Sequence, residues 1–296
     1  MAVYPFMQVD AFTDRPLGGN PCAILFDTDE LDEASMLAIA REMNLSETSF
    51  VRRSPIADFG VRYFTPSEEI PLAGHPTIAT VFALVDSGRL RLRGEATTIS
   101  LELKVGPIVV EIASQGEKVE RIVMTQKKPE FLSIHDPQTV APVFGLDVKD
   151  ILSECPIQTV STGTPQLMVP VRNLEVLKRV QVNAFALKRW RDSSDFFSVH
   201  LFCLEGITDE GQTFARHFAI PPDILEDPFT GSATGGMAAY LWHYGLIEEP
   251  FFIAEQGHWM NRPGKAMVEV IGPRHDIQSV KVGGGAVTLI RGEFIL

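Results

Sequence analysis

The feature that most constrains the fold of this chain is an internal repeat. Three segments of the first half resemble three segments of the second half, and both sets occur in the same order. Self-similarity of this kind is typical of a duplicated architecture. We therefore predict two similar domains, residues 1–118 and 119–296, with the option that the last strand pairs back onto the first domain. The matching segments are Gly19-Asn20-Pro21 with Gly163-Thr164-Pro165, Val61-Arg62-Tyr63-Phe64 with Ala215-Arg216-His217-Phe218, and Pro71-Leu72-Ala73-Gly74-His75-Pro76-Thr77 with Pro228-Phe229-Thr230-Gly231-Ser232-Ala233-Thr234.

Both copies of the last segment lead into an apolar helix. Residues 76–87 and 233–244 are apolar on nearly all faces, and each run is followed by a glycine. A helix that is apolar all round is a buried one. Runs that alternate between apolar and polar residues predict strands with one buried face. We therefore predict an α+β fold in which each domain curls a β-sheet around one central helix. The predicted strands are 59–64, 99–103, 108–112, 166–171, 197–204, 266–270 and 286–296.

One further helix is predicted between Asp32 and Asn44. Asp32 is suited to the N-cap, and Met36, Ile39 and the residues that follow form one apolar stripe. Asn44 is suited to a left-handed C-cap.

Composition narrows the class of partner. The formal net charge of −12 repels phosphate backbones, so we expect no nucleic-acid partner. No apolar run approaches the roughly 18 residues that cross a bilayer, so we expect no membrane association and a cytoplasmic location. Cys22, Cys155 and Cys203 are far apart, and the histidines show no ligand spacing. We therefore expect no metal site.

Each predicted central helix begins with the pattern Gly-X-X-Thr, at Gly74 and at Gly231. A helix N-terminus leaves backbone N–H groups without intrahelical partners and carries the positive end of the helix dipole. Glycine also lets a ligand approach the main chain closely. We predict that the two starts meet at one site for a carboxylate or a developing enolate. The alternative is that both glycines are ordinary turn residues.

Side chains that carry chemistry lie near these starts. His75 follows Gly74, Ser232 follows Gly231, and Asp227 lies slightly upstream. Glu47 begins or precedes a strand that runs into the core, where partial burial raises the pKa of a carboxyl group and suits it to general acid/base catalysis. The alternatives are a solvent-facing Glu47, a structural His75 and an Asp227 that caps a turn.

Over nearly its whole length the chain resembles the phenazine-biosynthesis-like (PhzF-like) isomerase family. The resemblance implies the diaminopimelate-epimerase-like fold, with two similar domains and the site between them. The related epimerases use two cysteines at the helix starts, whereas the three cysteines here lie elsewhere, which disfavours a two-thiol racemase. The resemblance rests on Asp10-Ala11-Phe12, Gly19-Asn20-Pro21, Asn44-Leu45-Ser46-Glu47-Thr48-Ser49-Phe50, Arg62-Tyr63-Phe64-Thr65-Pro66, Leu72-Ala73-Gly74-His75-Pro76-Thr77 and Glu226-Asp227-Pro228-Phe229-Thr230-Gly231-Ser232-Ala233.

The resemblance also implies an activity. It predicts an isomerase without a cofactor that moves a proton between carbons of a small carboxylic acid, with Glu47 as the general acid/base. A non-catalytic protein that binds a metabolite or a protein, and an epimerase or lyase on the same scaffold, are the alternatives. Family members are often dimers, so a homodimer is one expectation. The predicted catalytic residues are Glu47, His75 and Asp227, and the predicted substrate-binding residues are Ser46, Gly74, Gly231 and Ser232.

Overall fold

The computed structural model describes residues 1–221 and 223–296. The chain forms two compact units, of which the first comprises Met1–Thr125 with Gly283–Leu296 and the second Gln126–Val282. Both units combine mixed β-sheet with few helices, so the predicted α+β class is confirmed. Among the described residues, no helix combines the length and the apolar character needed to span a bilayer.

The strands are β1 Val3–Ala11, β2 Asn20–Leu25, β3 Glu47–Arg52, β4 Phe59–Phe64, β5 Glu69–Ile70, β6 Ala96–Leu103, β7 Gly106–Gln115, β8 Lys118–Gln126, β9 Glu130–His135, β10 Ile157–Ser161, β11 Pro165–Pro170, β12 Ser198–Cys203, β13 Thr213–Phe218, β14 Glu226–Asp227, β15 Phe251–Gln256, β16 Gly264–Ile271, β17 Ser279–Gly284 and β18 Ala286–Ile295. The helices are α1 Glu33–Met43, α2 Gly74–Asp86, α3 Pro137–Val140, α4 Leu174–Lys178, α5 Ala184–Arg191 and α6 Gly231–His243. Short 3₁₀ helices occupy Ala141–Phe144, Val148–Asp150 and His258–Met260.

The first unit has a defined order of strand pairings. β1 pairs antiparallel with β2, β2 parallel with β3, and β3 antiparallel with β4. β4 then pairs antiparallel with the short β5 and parallel with β6, which lies antiparallel to β7. The C-terminal strand β18 also belongs here, because it pairs with β1 from Val3↔Ile295 to Ala11↔Ala286.

The second unit repeats this order. β10 pairs antiparallel with β11, β11 parallel with β12, and β12 antiparallel with β13. β13 pairs antiparallel with the short β14 and parallel with β15, which lies antiparallel to β16. In both units one helix follows the short strand directly, α2 after β5 and α6 after β14. The shared order supports the duplication that the sequence predicts.

A repeated ion pair ties the short strand to its neighbour in each unit. Arg62 of β4 donates two hydrogen bonds to Glu69 of β5, at 2.7 and 2.8 Å. Arg216 of β13 donates to Glu226 of β14 at the same two distances. Because a planar guanidinium matches a carboxylate in this fork geometry, the pair fixes where each short strand lies just before its helix begins.

The central helices are buried as predicted. Ten of thirteen residues are buried in α2 and also in α6. α2 packs against β1, β2, β3 and β18, whereas α6 packs against β10, β11 and β16. Both helices begin at the glycine of the Gly-X-X-Thr pattern, Gly74 and Gly231, two residues before the apolar runs 76–87 and 233–244. Pro76 is therefore the third helical residue, where the missing N–H removes no intrahelical bond.

Helix α1 has the predicted ends. The side chain of Asp32 accepts a hydrogen bond from the backbone N–H of Ser35, and Asn44 adopts φ 48° and ψ 40°. Its apolar stripe packs on the first unit through Met36, Ile39 and Ala40. The left-handed Asn44 ends the helix and starts the turn that leads to Glu47.

Candidate active site

Glu47 is the first residue of β3. β3 runs parallel to β2, and this pairing places Glu47 opposite Cys22. The strand continues through four buried residues, from Thr48 to Val51, so its beginning is held firmly against the core. The side chain of Glu47 is 18% exposed. A carboxylate in this position is close to solvent and still mostly enclosed by protein.

His75 is the second residue of α2 and lies next to Glu47. Nε2 of the imidazole is 3.2 Å from Oε2 of Glu47, and only 4% of the His75 side chain is exposed. Burial lowers the pKa of His75 to about 3, because the charged form is cut off from water. The imidazole is therefore neutral at physiological pH, and the contact is between a neutral ring and a carboxyl group.

Asn20 contacts the other ring nitrogen of this histidine. The amide Nδ2 of Asn20 lies 2.9 Å from Nδ1 of His75, and both side chains are buried. Asn20 begins β2, and its backbone pairs with Ala11 of β1. Sequence reasoning assigned no role to this residue, although it lies in the repeated Gly19-Asn20-Pro21 segment.

The start of α2 keeps its backbone N–H groups available. The N-cap residue is Ala73, and within the described part of the chain no side chain caps this helix. Thr77, which closes the Gly-X-X-Thr pattern, donates a hydrogen bond from Oγ1 to the carbonyl of Ala73 at 2.7 Å. The first-turn N–H groups remain donors that a ligand can use.

Asp227 ends β14 in the second unit and is 8% exposed. The hydroxyl of Thr230 donates a hydrogen bond to Oδ2 of Asp227. The side chain of Gln256 spans the same loop, because Nε2 donates to the carbonyl of Asp227 at 2.7 Å and Oε1 accepts from the N–H of Thr230 at 3.1 Å. Asp227 therefore lies in a loop held at both ends by one buried amide.

Gly231 and Ser232 are the first two residues of α6. The hydroxyl of Ser232 accepts a hydrogen bond from Nε2 of Gln166 at 3.0 Å. The carbonyl of Gly231 accepts from Nε2 of Gln126 at 2.9 Å. At this second helix start too, no side chain among the described residues caps the N-terminus.

The two units differ at the residue that begins the parallel strand. In the first unit Glu47 begins β3 and lies opposite Cys22. In the second unit Ser198 begins β12 and lies opposite Gln166 in the corresponding parallel pair. A hydroxyl therefore occupies the position that corresponds to the carboxylate, and Ser232 occupies the position that corresponds to His75.

The structure thus brings the predicted residues into two groups. Glu47 and His75 are in direct contact in the first unit, with Gly74 adjacent in the chain and Ser46 half-buried in the turn before β3. Asp227, Gly231 and Ser232 lie together at the start of α6 in the second unit. Asn20, Gln166 and Gln256 are polar neighbours that sequence reasoning did not assign to the site.

All three cysteines of the chain are free thiols, and all three are buried: Cys22, Cys155 and Cys203. Burial, and then the charge of Glu47, raise the pKa of the Cys22 thiol well above its usual range. In residues 1–221 and 223–296, no three His, Cys, Asp or Glu side chains form a metal-binding group.

A buried pair of histidines lies on the strands of the second unit. Nδ1 of His200 is 3.3 Å from Nδ1 of His217. Burial lowers the pKa of His217 to about 3, and burial together with the charge of His217 holds the pKa of His200 well below its usual range. Both rings are neutral at physiological pH.

Comparison with known proteins gives one consistent family. Residues 9–292 match the family model described as phenazine biosynthesis-like protein, PhzC-PhzF. The chain is 32% identical to a trans-2,3-dihydro-3-hydroxyanthranilate isomerase from Pseudomonas fluorescens, over 99% of this chain and 100% of that protein. It is 34% identical to an uncharacterized isomerase from Bacillus subtilis, over 89% of each chain.

The fold has the same relatives. A PhzF-family phenazine biosynthesis protein from Bacillus anthracis superposes with a TM-score of 0.87. The two proteins share 32% sequence identity, and the match covers 100% of both chains. The resemblance predicted from the sequence motifs is therefore confirmed.

Proposed function

This chain belongs to the phenazine biosynthesis-like family and is an isomerase, and we propose that it moves a proton between carbons of a small carboxylic acid, with Glu47 as the acid/base. The observation that carries the proposal is the contact between Glu47 and a neutral His75. A carboxyl group that is mostly enclosed and faces a neutral ring is suited to exchange a proton with a substrate.

The proposed reaction balances within one molecule of substrate. The carboxylate of Glu47 takes a proton from a carbon next to an unsaturated system, and the electron pair of that C–H bond enters the conjugated system. Glu47 then returns the proton to a different carbon, so that the double bond has shifted and the enzyme is unchanged. Positioned acid/base catalysis of this kind contributes about 10²–10⁴-fold.

A single carboxylate favours isomerisation over epimerisation by two bases. An epimerase of the two-base type needs a proton-transferring group on each face of the reacting carbon. The second unit has Ser198 where the first has Glu47, and Ser232 where the first has His75. A serine hydroxyl is by itself a poor proton acceptor at neutral pH. The asymmetry supports one base that both removes and returns the proton.

The helix starts support a carboxylate as the proposed substrate class. Backbone N–H groups at Gly74 are suited to hold a carboxylate or the charge that develops in the transition state, where one good donor contributes about 3 kcal/mol. We propose that Ser46, Gly231 and Ser232 also bind the substrate and that Asp227 is a further catalytic residue that contacts it, on the basis of the family resemblance. The first compound to test is trans-2,3-dihydro-3-hydroxyanthranilate, the compound named in the relative from Pseudomonas fluorescens.

Glu47→Gln is expected to abolish turnover while the protein still folds and binds its substrate. The amide keeps the shape of the side chain but does not accept a proton from carbon. The measurement is NMR of trans-2,3-dihydro-3-hydroxyanthranilate and a panel of other unsaturated carboxylic acids in D₂O. The wild type is expected to place deuterium at one carbon of its substrate.

The matched control is Glu102→Gln. Glu102 is also a half-buried strand glutamate of the first unit, and it accepts a hydrogen bond from Ser54 at 2.5 Å. Full deuterium incorporation by this variant, together with its loss in Glu47→Gln, would support the proposal. Equal incorporation by Glu47→Gln and the wild type would show that another group is the base.

Two further parts of the proposal have their own tests. We propose that the reaction needs no cofactor, so protein that has been unfolded, dialysed against a chelator and refolded is expected to keep its activity.

We also propose, from the family resemblance, a homodimer, and light scattering after size exclusion gives its mass directly. The cytoplasmic location stays a prediction.

A further inference from the structure

We infer that Asn20 is a positioning residue, which holds His75 in one tautomer with its ring proton on Nε2, toward Glu47. The geometry consists of two contacts on opposite sides of one buried ring. Nδ2 of Asn20 lies 2.9 Å from Nδ1 of His75, and Nε2 of His75 lies 3.2 Å from Oε2 of Glu47. The imidazole of His75 therefore lies between the amide of Asn20 and the carboxyl group of Glu47.

The direction of the first contact decides the tautomer. An amide nitrogen has hydrogen atoms to donate and no lone pair to accept with. Nδ1 of His75 must therefore be the acceptor, and it carries no proton. A neutral imidazole has one ring proton, so that proton is on Nε2. The low pKa of the buried ring agrees with a neutral state at physiological pH.

Asn20 can select the tautomer because it is itself fixed. The residue before it, Gly19, adopts φ +50°, and a Cβ at Gly19 would overlap the carbonyl oxygen of Ala11. The residue after it, Pro21, fixes its own φ. The backbone of Asn20 pairs with Ala11, and its side chain is fully buried. Each part of Gly19-Asn20-Pro21 therefore limits where the amide can point.

The consequence concerns Glu47. A proton on Nε2 gives the imidazole a donor on the side that faces the carboxyl group. The positive end of the N–H dipole on this side favours the charged carboxylate, which is the form that removes a proton from carbon. The opposite tautomer would present a lone pair to Glu47 and favour its protonated form. The catalytic meaning of the inference rests on the proposed function, whereas the tautomer does not.

The test is NMR of the ring nitrogens in protein with ¹⁵N-labelled histidine. The His75 signals are assigned as those that disappear in His75→Gln. In the wild type at pH 7, Nε2 is expected to give the signal of a protonated ring nitrogen and Nδ1 that of an unprotonated one. A protonated Nδ1 in the wild type would overturn the inference, whatever the activity.

Asn20→Asp reverses the direction of the hydrogen bond to Nδ1, because a carboxylate accepts where the amide donates. Nδ1 is expected to become protonated, and turnover of the identified substrate is expected to fall about 10²-fold or more while KM changes little. Asn20→Ala removes the selection and is expected to give signals of both tautomers. Unchanged signals in a folded Asn20→Asp or Asn20→Ala protein would contradict the assignment.

The matched control is Gln158→Ala in the second unit. Gln158 is also a buried amide with two defined bonds, since it donates to the carbonyl of Leu132 at 2.9 Å and accepts from the hydroxyl of Tyr244 at 2.6 Å. This variant is expected to lose stability and to leave the His75 signals unchanged. If the wild-type tautomer is as inferred but Glu47→Gln retains activity, the proposed function fails and the positioning of His75 stands.

Discussion

Thr77 and Thr234 show what the last residue of each Gly-X-X-Thr pattern does. Each hydroxyl donates to the backbone carbonyl four residues earlier, Thr77 to Ala73 at 2.7 Å and Thr234 to Thr230 at 2.9 Å. The bond ties the N-cap carbonyl to the first turn of the helix. Thr77 has an additional neighbour, since the hydroxyl of Tyr63 lies 3.0 Å away.

This difference predicts unequal effects of the same substitution. Thr234→Val removes one hydrogen bond and is expected to cost about 1 kcal/mol. Thr77→Val also removes one of the two hydroxyl partners of the buried Tyr63, of which Thr80 is the other, and the loss of this second bond adds about 1 kcal/mol. Urea unfolding of both variants gives the comparison. Tyr63→Phe combined with Thr77→Val is expected to recover part of the loss, and equal losses in the two single variants would contradict this account.

At the scale of elements, the beginning of β2 is built around Gly19. Its left-handed backbone and its approach to the carbonyl of Ala11 leave no room for a side chain. The strand start then directs Asn20 toward His75. The glycine of the repeated segment therefore acts on the site through the element that it begins.

Gly19→Ala is expected to destabilise the first unit by about 2–5 kcal/mol, from backbone strain and overlap together. Gly88→Ala is the matched control. Gly88 is also left-handed, at φ +73°, but none of the described atoms lies within 4 Å of a Cβ added there. The control is expected to lose about 1–2 kcal/mol from the backbone conformation alone. Thermal unfolding of both variants measures the difference, and similar losses would show that the contact with Ala11 is unimportant.

The sequence predicted the elements better than the site. Periodicity located β4 and the apolar helices because one buried face or a fully apolar surface leaves a clear pattern. It placed Glu47 at the start of a strand for the same reason. It did not indicate that Asn20 contacts His75, because that bond joins positions 55 residues apart and depends on how helix α2 packs against β2. Local pattern contains no information on such packing.

At the scale of the whole molecule, three buried neutral histidines link stability to pH. Burial lowers the pKa of His75 and of His217 to about 3. Burial and the charge of His217 hold the pKa of His200 well below its usual range. The unfolded chain binds protons at these residues near pH 6.5, whereas the folded protein does not. The contribution of the three neutral histidines to the free energy of unfolding is therefore fully present above about pH 7, and it is lost as the pH falls toward 3.

Between pH 7 and pH 5.5, each of these histidines is expected to cost about 1 kcal/mol of unfolding free energy. Carboxyl groups add little in this window, because they titrate near pH 4 in the unfolded chain. Urea unfolding at the two pH values measures the loss. His200→Gln is expected to reduce the pH dependence, and substitution of the exposed His275 by Gln is expected to leave it unchanged. A wild-type protein equally stable at both pH values would contradict this prediction.

The pairing of β18 with β1 affects the order in which the molecule can form during synthesis. Val3 and Ile295 are partners in one ladder although almost the whole chain separates them. The second unit is continuous, so all of its strands have been synthesised before β18 emerges. Closing such a long loop carries an entropic cost that slows folding. We therefore expect the ribosome-bound chain to complete its second unit first. β1 is the earliest strand to be synthesised, and its pairing with β18 is expected to form last.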